Sequence, residues 1–363
     1  SPADSVTTPY SAPDLIYSVN DGNATVVVRV DAIIVGTSSG QPLDALLDGI
    51  HKVRVDATDL AGNTGFAIST FTVDTTGPTL VVTSPEQNAT LSISPCLISG
   101  TATDERGGLI TVEIGNKSYP VRVDGSFLAN AALASGSNTI TVTARNMFGN
   151  TTSVDLNLTL DAIVPLYSVY EIALVSTSTY SNPFQDVSFS WSLEPPGGGG
   201  SILQSGFYDG NNIFRARFTP TIAGTYTFTT SSDADADLDG VTGSFKASAS
   251  ASKGFLRVSG DHNLVFDDGT RYFPFSDTAL NMLNASASEA TRIIDTGSAA
   301  DMNAIKLVLF NPDSDPASRI WVFGGTYDAP DYTTFNISLF RKLEDILSYA
   351  GTKGMLVEVI LMS

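Results

Sequence analysis

The chain has a single cysteine, Cys96, in 363 residues, so no disulfide can form within it. Its modules must be held by packing alone. Histidine is nearly as scarce. His51 and His262 are the only two, and with one cysteine they cannot build a zinc site of the usual His or Cys type. His51 lies among alternating strand residues and reads as solvent-facing. Basic residues are few: 19 Lys and Arg stand against 38 Asp and Glu, a formal charge of −19. That balance excludes nucleic acid and anionic membrane surfaces as partners, since both require basic patches. It reads as an acidic, solvated surface. No apolar run is long enough to span a membrane, so no membrane insertion is expected. No secretory leader is visible. The chain opens on Ser1-Pro2 at a module boundary, as it would after removal of a leader.

What is present is β-pattern, stated twice. The stretch from Gly49 reads GIHKVRVDATDLAGNTGFAISTFTVD, and the stretch from Gly136 reads GSNTITVTARNMFGNTTSVDLNLTLD. Gly62-Asn63 and Gly149-Asn150 mark the same point in each, 87 residues apart. Val53, Val55 and Ala57 alternate with polar residues in the first copy, as Ile140, Val142 and Ala144 do in the second. Period-two alternation of β-branched residues marks half-buried strands. Gly-Asn supplies the positive φ of a hairpin turn. Ser1-Pro2 and Ser84-Pro85 open the two copies. A repeat near this length is one small all-β domain.

The words GIHKVRVDATDLAGNTGFAISTFTVDTTGP resemble the immunoglobulin-like modules of bacterial and archaeal surface proteins. The second copy, with ISGTATD and VRVDGSFLANAAL, is similar to the same group. The resemblance implies spacers or adhesive stalks and says little of function. After Asp161 the words change to YEIAL, NPF, GFYDG, RARFTP, AGTYTF and KGFLRVS. In that order they resemble the β-sandwich that precedes the barrel of apiosidase-like glycoside hydrolases. GGGGS at 197–201 reads as an inter-strand loop, because no Lys-Ser/Thr follows it to make a phosphate cradle.

From Ser259 a further segment begins. LVFDDGTRYFPF predicts a hairpin turning at Asp268-Gly269. A helix is expected after Ser286 or Ser288, and another over 336–350, where Leu339, Leu343, Ile346 and Leu347 form one stripe ended by Gly351 and Gly354. The apolar runs 304–310 and 355–362 predict parallel strands covered on both faces, joined through the second helix as a βαβ unit. SDTAL at 276–280 and MNAIK at 302–306 resemble the opening phrases of the same hydrolase barrel, with Leu280 for its Trp and Lys306 for its Arg. The resemblance implies catalytic carboxylates on later strands. With 105 residues left after Val258, a barrel of ~250 residues is expected to be incomplete and this chain alone inactive.

Candidate site residues follow from these placements. Asp277, Trp321 and Asp328 are candidates for a sugar subsite, with Trp321 as the stacking platform, because barrel sites sit where strands end. Lys306 and Glu358, inside apolar strands, are expected to pair structurally, since an unpaired buried charge is costly. Asp233, Asp235, Asp237 and Asp239 alternate before Gly240 like a calcium loop, although Lys246 stands where a bidentate Glu belongs. Sequons at Asn23, Asn88, Asn116, Asn150, Asn157, Asn284 and Asn336 are glycosylation candidates.

The expected fold is mainly β. Ig-like domains occupy 1–78 and 79–163, a third β-sandwich 164–258, and the N-terminal part of a (β/α) barrel 259–363. The expected function is the stalk and front end of an extracellular or cell-surface, glycoside-hydrolase-like protein, with polysaccharide or surface glycan as partner and calcium as the one possible cofactor. The alternative is a cell-surface or filament-forming structural protein built from the same modules, with itself as partner.

Overall fold

In this computed structural model, residues 5–260, 262–311 and 319–361 are described. The Ser1-Pro2 opening of the first repeat and Met362 of the last apolar run lie outside them. The chain forms two compact units, residues 1–90 with 97–159, and residues 91–96 with 160–363.

In the first unit both repeated stretches are hairpins. Gly49–Thr58 turns into Thr64–Val73, and Gly136–Asn146 turns into Thr151–Leu160. Gly62 and Gly149 take φ of +89° and +96°, a region that favours glycine. The turn is set by the residue three places before the glycine. Asp59 Oδ1 accepts from the amides of Ala61 and Asn63, both at 2.8 Å. At the matching place Asn146 Oδ1 accepts from Phe148 and Asn150, at 3.1 and 3.0 Å. Both use the Asx habit of replacing a backbone partner with a side-chain oxygen.

The first hairpin continues into Thr25–Val30 and Ile33–Val35 on one side and a parallel Thr7–Thr8 on the other. Alternation turns Val28, Val30, Val53, Val55, Phe71 and Val73 inward, against Leu15 and Leu43. The covering layer is only Asp14–Leu15 paired with Gln41–Pro42. It is thinner than the full second sheet expected. Pro9, Pro13 and Pro42 explain this, because proline removes ladder donors. His51 is not solvent-facing. Its side chain is 12% exposed, with Nδ1 2.6 Å from Asp31 Oδ2 and Nε2 2.7 Å from the Leu47 carbonyl. Asp31 and Ala32, both at positive φ, make the turn joining 25–30 to 33–35.

The second module has two fuller layers. Thr79–Ser84, Cys96–Thr103 and Ser126–Ala131 form one, and Lys117–Pro120, Ile110–Ile114 and the second hairpin form the other. Ile98, Val112, Phe127, Val142, Leu156 and Leu158 are buried in it. Gly100 must stay bare, since a Cβ there would lie 2.1 Å from the Val81 carbonyl oxygen.

The second unit begins with a third sandwich. Ile163–Pro165, Thr242–Ser248, Gly224–Ser232, Phe189–Glu194 and Ile202–Ser205 form one sheet. Tyr170–Val175, Ile213–Phe218 and Phe207–Tyr208 form the other. The core is aromatic: Tyr226 stacks on Phe245 at 5.0 Å, Phe245 on Tyr170 at 4.1 Å, and Trp191 is fully buried.

A small antiparallel sheet follows, Leu256–Ser259, Asn263–Phe266 and Arg271–Tyr272, turning where Asp268-Gly269 predicts. Then comes a parallel sheet in chain order, Ser276–Thr278, Ala304–Val308 and Leu356–Ile360. Helix α1, Ala287–Ala299, is capped by Ser286, whose Oγ accepts from Glu289 N at 3.2 Å. Helix α2, Ile337–Thr352, is capped by Asn336. It runs through Gly351, and Gly354, at φ +70°, follows its end. Leu347 is 39% exposed, and Ala350 is buried in its place on the apolar stripe. Ala290 and Ile294 of α1 and Leu343, Ile346 and Ala350 of α2 share one core with Ile305 and Leu307. Both helices therefore cover the same face of the sheet.

Leu307 is fully buried between sheet and helices. Leu307→Ala is expected to destabilise this unit by about 2–5 kcal/mol, read as a shift of its urea unfolding midpoint with the first unit's transition unmoved. His51 yields a pH test. Burial opposes its charge, but the Asp31 hydrogen bond, the Leu47 carbonyl and the Asp31 charge outweigh it and hold the imidazole above its ordinary range. Burial also opposes the Asp31 charge, yet His51 and the Lys52 amide hold that carboxyl below its ordinary range. The pair's stabilisation is thus present between the two folded pKa values and fades as pH rises through that of His51. The melting-temperature loss on His51→Gln should be larger at about pH 5.5 than at about pH 9.

Candidate functional site

Parallel pairing puts Thr278, Lys306 and Glu358 side by side, and Asp277, Ile305 and Val357 side by side. Alternation sends the two sets to opposite faces. Ile305 faces the helices, so Lys306 and Glu358 occupy the other face. Lys306 Nζ lies 3.0 Å from Glu358 Oε2. The two charges pair, as the sequence suggests, but with side chains 37% and 58% exposed they are not the buried pair expected. Tyr272 comes close enough that, after burial, the Glu358 charge is what raises its pKa. Its hydroxyl donates to the Asn303 carbonyl at 3.2 Å, closing the N-terminal end of the sheet. Asp277 belongs to the helix-side set, is exposed, and accepts from its neighbour Thr278 N at 2.7 Å. It does not join Lys306 and Glu358.

Trp321 follows the middle parallel strand, in a loop carrying the hairpin Phe323–Gly325 and Pro330–Phe335. Its ring centroid is 5.6 Å from Phe310, 5.7 Å from Phe323 and from Tyr327, and 6.0 Å from Tyr332. Its indole N–H donates to the Gly324 carbonyl at 3.2 Å. Trp321 is therefore the hub of an aromatic cluster rather than its open platform. Of the four rings around Trp321, the most exposed are Tyr332, at 63%, and Tyr327, at 38%. Sequence reasoning did not single out these two tyrosines, although both lie in GGTYDAPDY beside Asp328. Asp328 is exposed at the hairpin tip. Among the described residues, no hydrogen bond or ion pair joins Asp277, Trp321 and Asp328.

The four aspartates before Gly240 diverge. Asp233 Oδ1 accepts from Ser188 N at 3.2 Å. Asp235 is buried and accepts from the Tyr180 hydroxyl and, at 2.8 Å, from Asp237 N. Asp237 Oδ2 accepts from Thr177 N and Oγ1, at 2.9 and 2.6 Å. Asp239 Oδ1 accepts from Ser232 N at 3.0 Å. Asp233, Asp237 and Asp239 each hold a different strand end, and Asp235 holds the loop at Tyr180. Among the described residues, no group of three or more His, Cys, Asp or Glu could hold a metal ion. The calcium-like spacing is a set of loop anchors.

The sequons divide by what their amides do. Asn150 Nδ2 donates to the Asp74 carbonyl at 2.7 Å, Asn284 Nδ2 to Arg319 at 2.9 Å and Asn336 Nδ2 to Trp321 at 3.2 Å. At these three the Nδ2 that would carry a glycan is already engaged with a backbone carbonyl. Asn23, Asn88, Asn116 and Asn157 are exposed.

A charged network ties the third sandwich to α2. Arg217 reaches Glu171 at 2.5 Å and Glu344 at 2.6 Å. Arg215 binds Glu171 and, at 2.6 Å, Asp209. Arg341 Nε lies 3.2 Å from Asp209 Oδ1, and its terminal nitrogen donates to the Asp209 carbonyl at 2.5 Å. Burial works against the Asp209 charge, yet Arg341 and Arg215 hold its carboxyl below the ordinary range.

Residues 78–162 match the family described as "Glucodextranase, domain B", and residues 163–233 match a "Domain of unknown function (DUF5060)". The chain is a β-sandwich protein carrying a module of a kind named from a carbohydrate-processing enzyme. No curated protein matches it. Among solved structures it is similar to a candidate glycoside hydrolase from Bacteroides vulgatus ATCC 8482, with 27% identity and a TM-score of 0.48, over 55% of this chain and 41% of that one. This chain thus spans about two fifths of that relative's length. It is also similar to fibronectin(III)-like modules of Clostridium thermocellum CbhA, with 14% identity and a TM-score of 0.29, over 44% of this chain and 91% of that one. A third is Bacteroides ovatus SGBP-B, solved with a mixed-linkage heptasaccharide, with 12% identity and a TM-score of 0.22, over 68% and 66%. Scores of this size decide no function. Among the described residues, no helix is long and apolar enough to cross a membrane.

Since the aspartates of 233–239 are already engaged, millimolar calcium should leave the melting temperature unchanged, as should a chelator. Differential scanning calorimetry checks both.

Proposed function

We propose that this chain is the stalk and front end of an extracellular, glycoside-hydrolase-like protein that acts on polysaccharide. In this reading 1–78 and 79–163 are Ig-like spacers, 164–258 is the sandwich that precedes the barrel in apiosidase-like hydrolases, and 259–363 opens a (β/α) barrel. The observation that carries it is the winding of the parallel sheet. Its three strands follow chain order and both connecting helices cover one face. A singly wound sheet of this kind curls toward a barrel, whereas a doubly wound sheet places helices on both faces. The glucodextranase-type match at 78–162 supports a carbohydrate setting, and the exposed Asn23, Asn88, Asn116 and Asn157 suit a secreted surface.

We assign no catalytic residue within this chain. Glycosidase chemistry needs two carboxylates across the scissile bond. Glu358, on the sheet face turned from the helices, is neutralised by Lys306. Tyr332 is the ring best suited to stacking a sugar, with Asp328 nearby in the same hairpin, while Tyr327 beside it has one face covered by the Arg319 guanidinium at 3.8 Å. Affinity gels of the purified chain with mixed-linkage β-glucan, arabinoxylan and pectin should show slowed migration on at least one, without reducing-sugar release. Tyr332→Ala should cut that retention several-fold with an unchanged melting temperature. Free migration on all three, or sugar release, would sink this reading.

The second reading, a self-associating structural protein, is favoured by one observation. Leu356–Ile360 pairs on one side only among the described residues, with its apolar side chains half-exposed. An edge of that kind invites another strand. Sedimentation showing concentration-dependent ordered polymers, with no polysaccharide retention, would move the assignment there.

A further inference from the structure

A cavity of about 440 Å³ lies between the third sandwich and the first turns of α2. Its walls come from both sides: Phe184, Phe207 and Tyr208 from the sandwich, Phe335, Ile337 and Phe340 from the helix and its approach. The volume is within the range of about 300–1,000 Å³ typical of small-molecule sites, and so is the apolar lining. Its neighbouring rings already meet nearly edge to face. Phe184 stands at 87° to Tyr208 with centroids 5.1 Å apart, and at 67° to Phe335 with centroids 5.7 Å apart. Phe335 stands at 81° to Phe340. Such an arrangement leaves ring faces and edges to which a further ring can add in the preferred tilted geometry.

The charged groups at the cavity decide what kind of molecule suits it. Arg217, Arg341, Glu344 and Asp209 line it, and they are bound to one another and to Arg215 and Glu171. Three guanidinium groups face three carboxylates, so the network is neutral. An ion entering it would lose water without gaining a net opposite charge. A bare sugar fares little better. Its many hydroxyls need partners, and these polar groups are already engaged with one another. The Arg217 guanidinium also lies 4.8 Å over the Phe207 ring, which fixes that wall.

We propose that this cavity binds a small, uncharged, planar aromatic molecule of one or two rings, held by the Phe184, Phe335 and Phe340 rings and roofed by the Arg217–Glu344 pair. The site is separate from the Tyr327 and Tyr332 surface, and it stands or falls independently of polysaccharide binding.

The test uses the full chain and 2-naphthol, which is neutral at pH 7. The controls are 2-naphthoate, which keeps the ring system but is charged, and methyl β-D-glucopyranoside, which is rich in hydroxyls and has no aromatic ring. Calorimetric titration should show saturable binding of 2-naphthol, with both controls at least tenfold weaker. In amide NMR spectra the largest shifts should fall at Phe207, Ile337 and Phe340. Ile337→Trp fills the cavity and should weaken 2-naphthol at least tenfold in a chain that still melts normally. Val187→Phe, from the opposite wall, serves if that variant unfolds. Non-saturable binding, shifts centred elsewhere, or equal affinity for either control would overturn the proposal, and the wild-type spectra decide it even if both variants unfold.

Discussion

A β-strand turns alternate side chains to opposite sides, and a chain without disulfides can use that alternation only by laying a second layer over its apolar side. Everything else in this protein answers to that requirement. The first module meets it thinly, with Leu15 and Leu43 over one sheet. The second meets it with two sheets and no room for a side chain at Gly100. The third meets it with stacked aromatics around a fully buried Trp191. The parallel sheet meets it on one face with both helices.

Where layers end, polar side chains take over the backbone's missing partners. Asp59 and Asn146 do this in the repeated hairpins, Asp31 and His51 beside the turn at 31–32, and Asp233 through Asp239 in the third sandwich. This gives a physical reason for so many acids on the chain. Several are structural acceptors for amides and hydroxyls. The same logic at larger scale joins the third sandwich to α2. Arg217 and Arg341 cross from one to the other, and Lys342 Nζ donates to the Leu283 and Ala285 carbonyls ahead of α1. The helix that supports the parallel sheet is thereby also fastened to the module before it.

This fastening bears on function. A module that only spaced the parallel sheet from a surface would need no ion-pair network and no shared aromatic walls. Here the sandwich supplies Glu171, Asp209, Arg215 and Arg217 to a neutral cluster completed by Arg341 and Glu344. The sandwich and the α/β segment therefore act as one body, and the cavity between them belongs to both.

The strands and helices were legible because their signals are local. Alternation named the inward valines of 49–58, the Asp268-Gly269 turn marked a hairpin, and Ser286 and Asn336 marked helix starts within a residue. A lone charge in each of two apolar runs pointed to Lys306 and Glu358, and parallel register brings them together at a partly exposed position. What the sequence by itself determined was thus the type and order of elements. Which aromatic is open and which is a hub, whether four aspartates converge or diverge, and whether His51 is covered were decided only by the tertiary structure. Spacing along a strand or loop says which side chains could meet. Whether they do depends on residues such as Tyr180, Ser188, Phe310 and Asp31, brought up by segments outside any short local pattern.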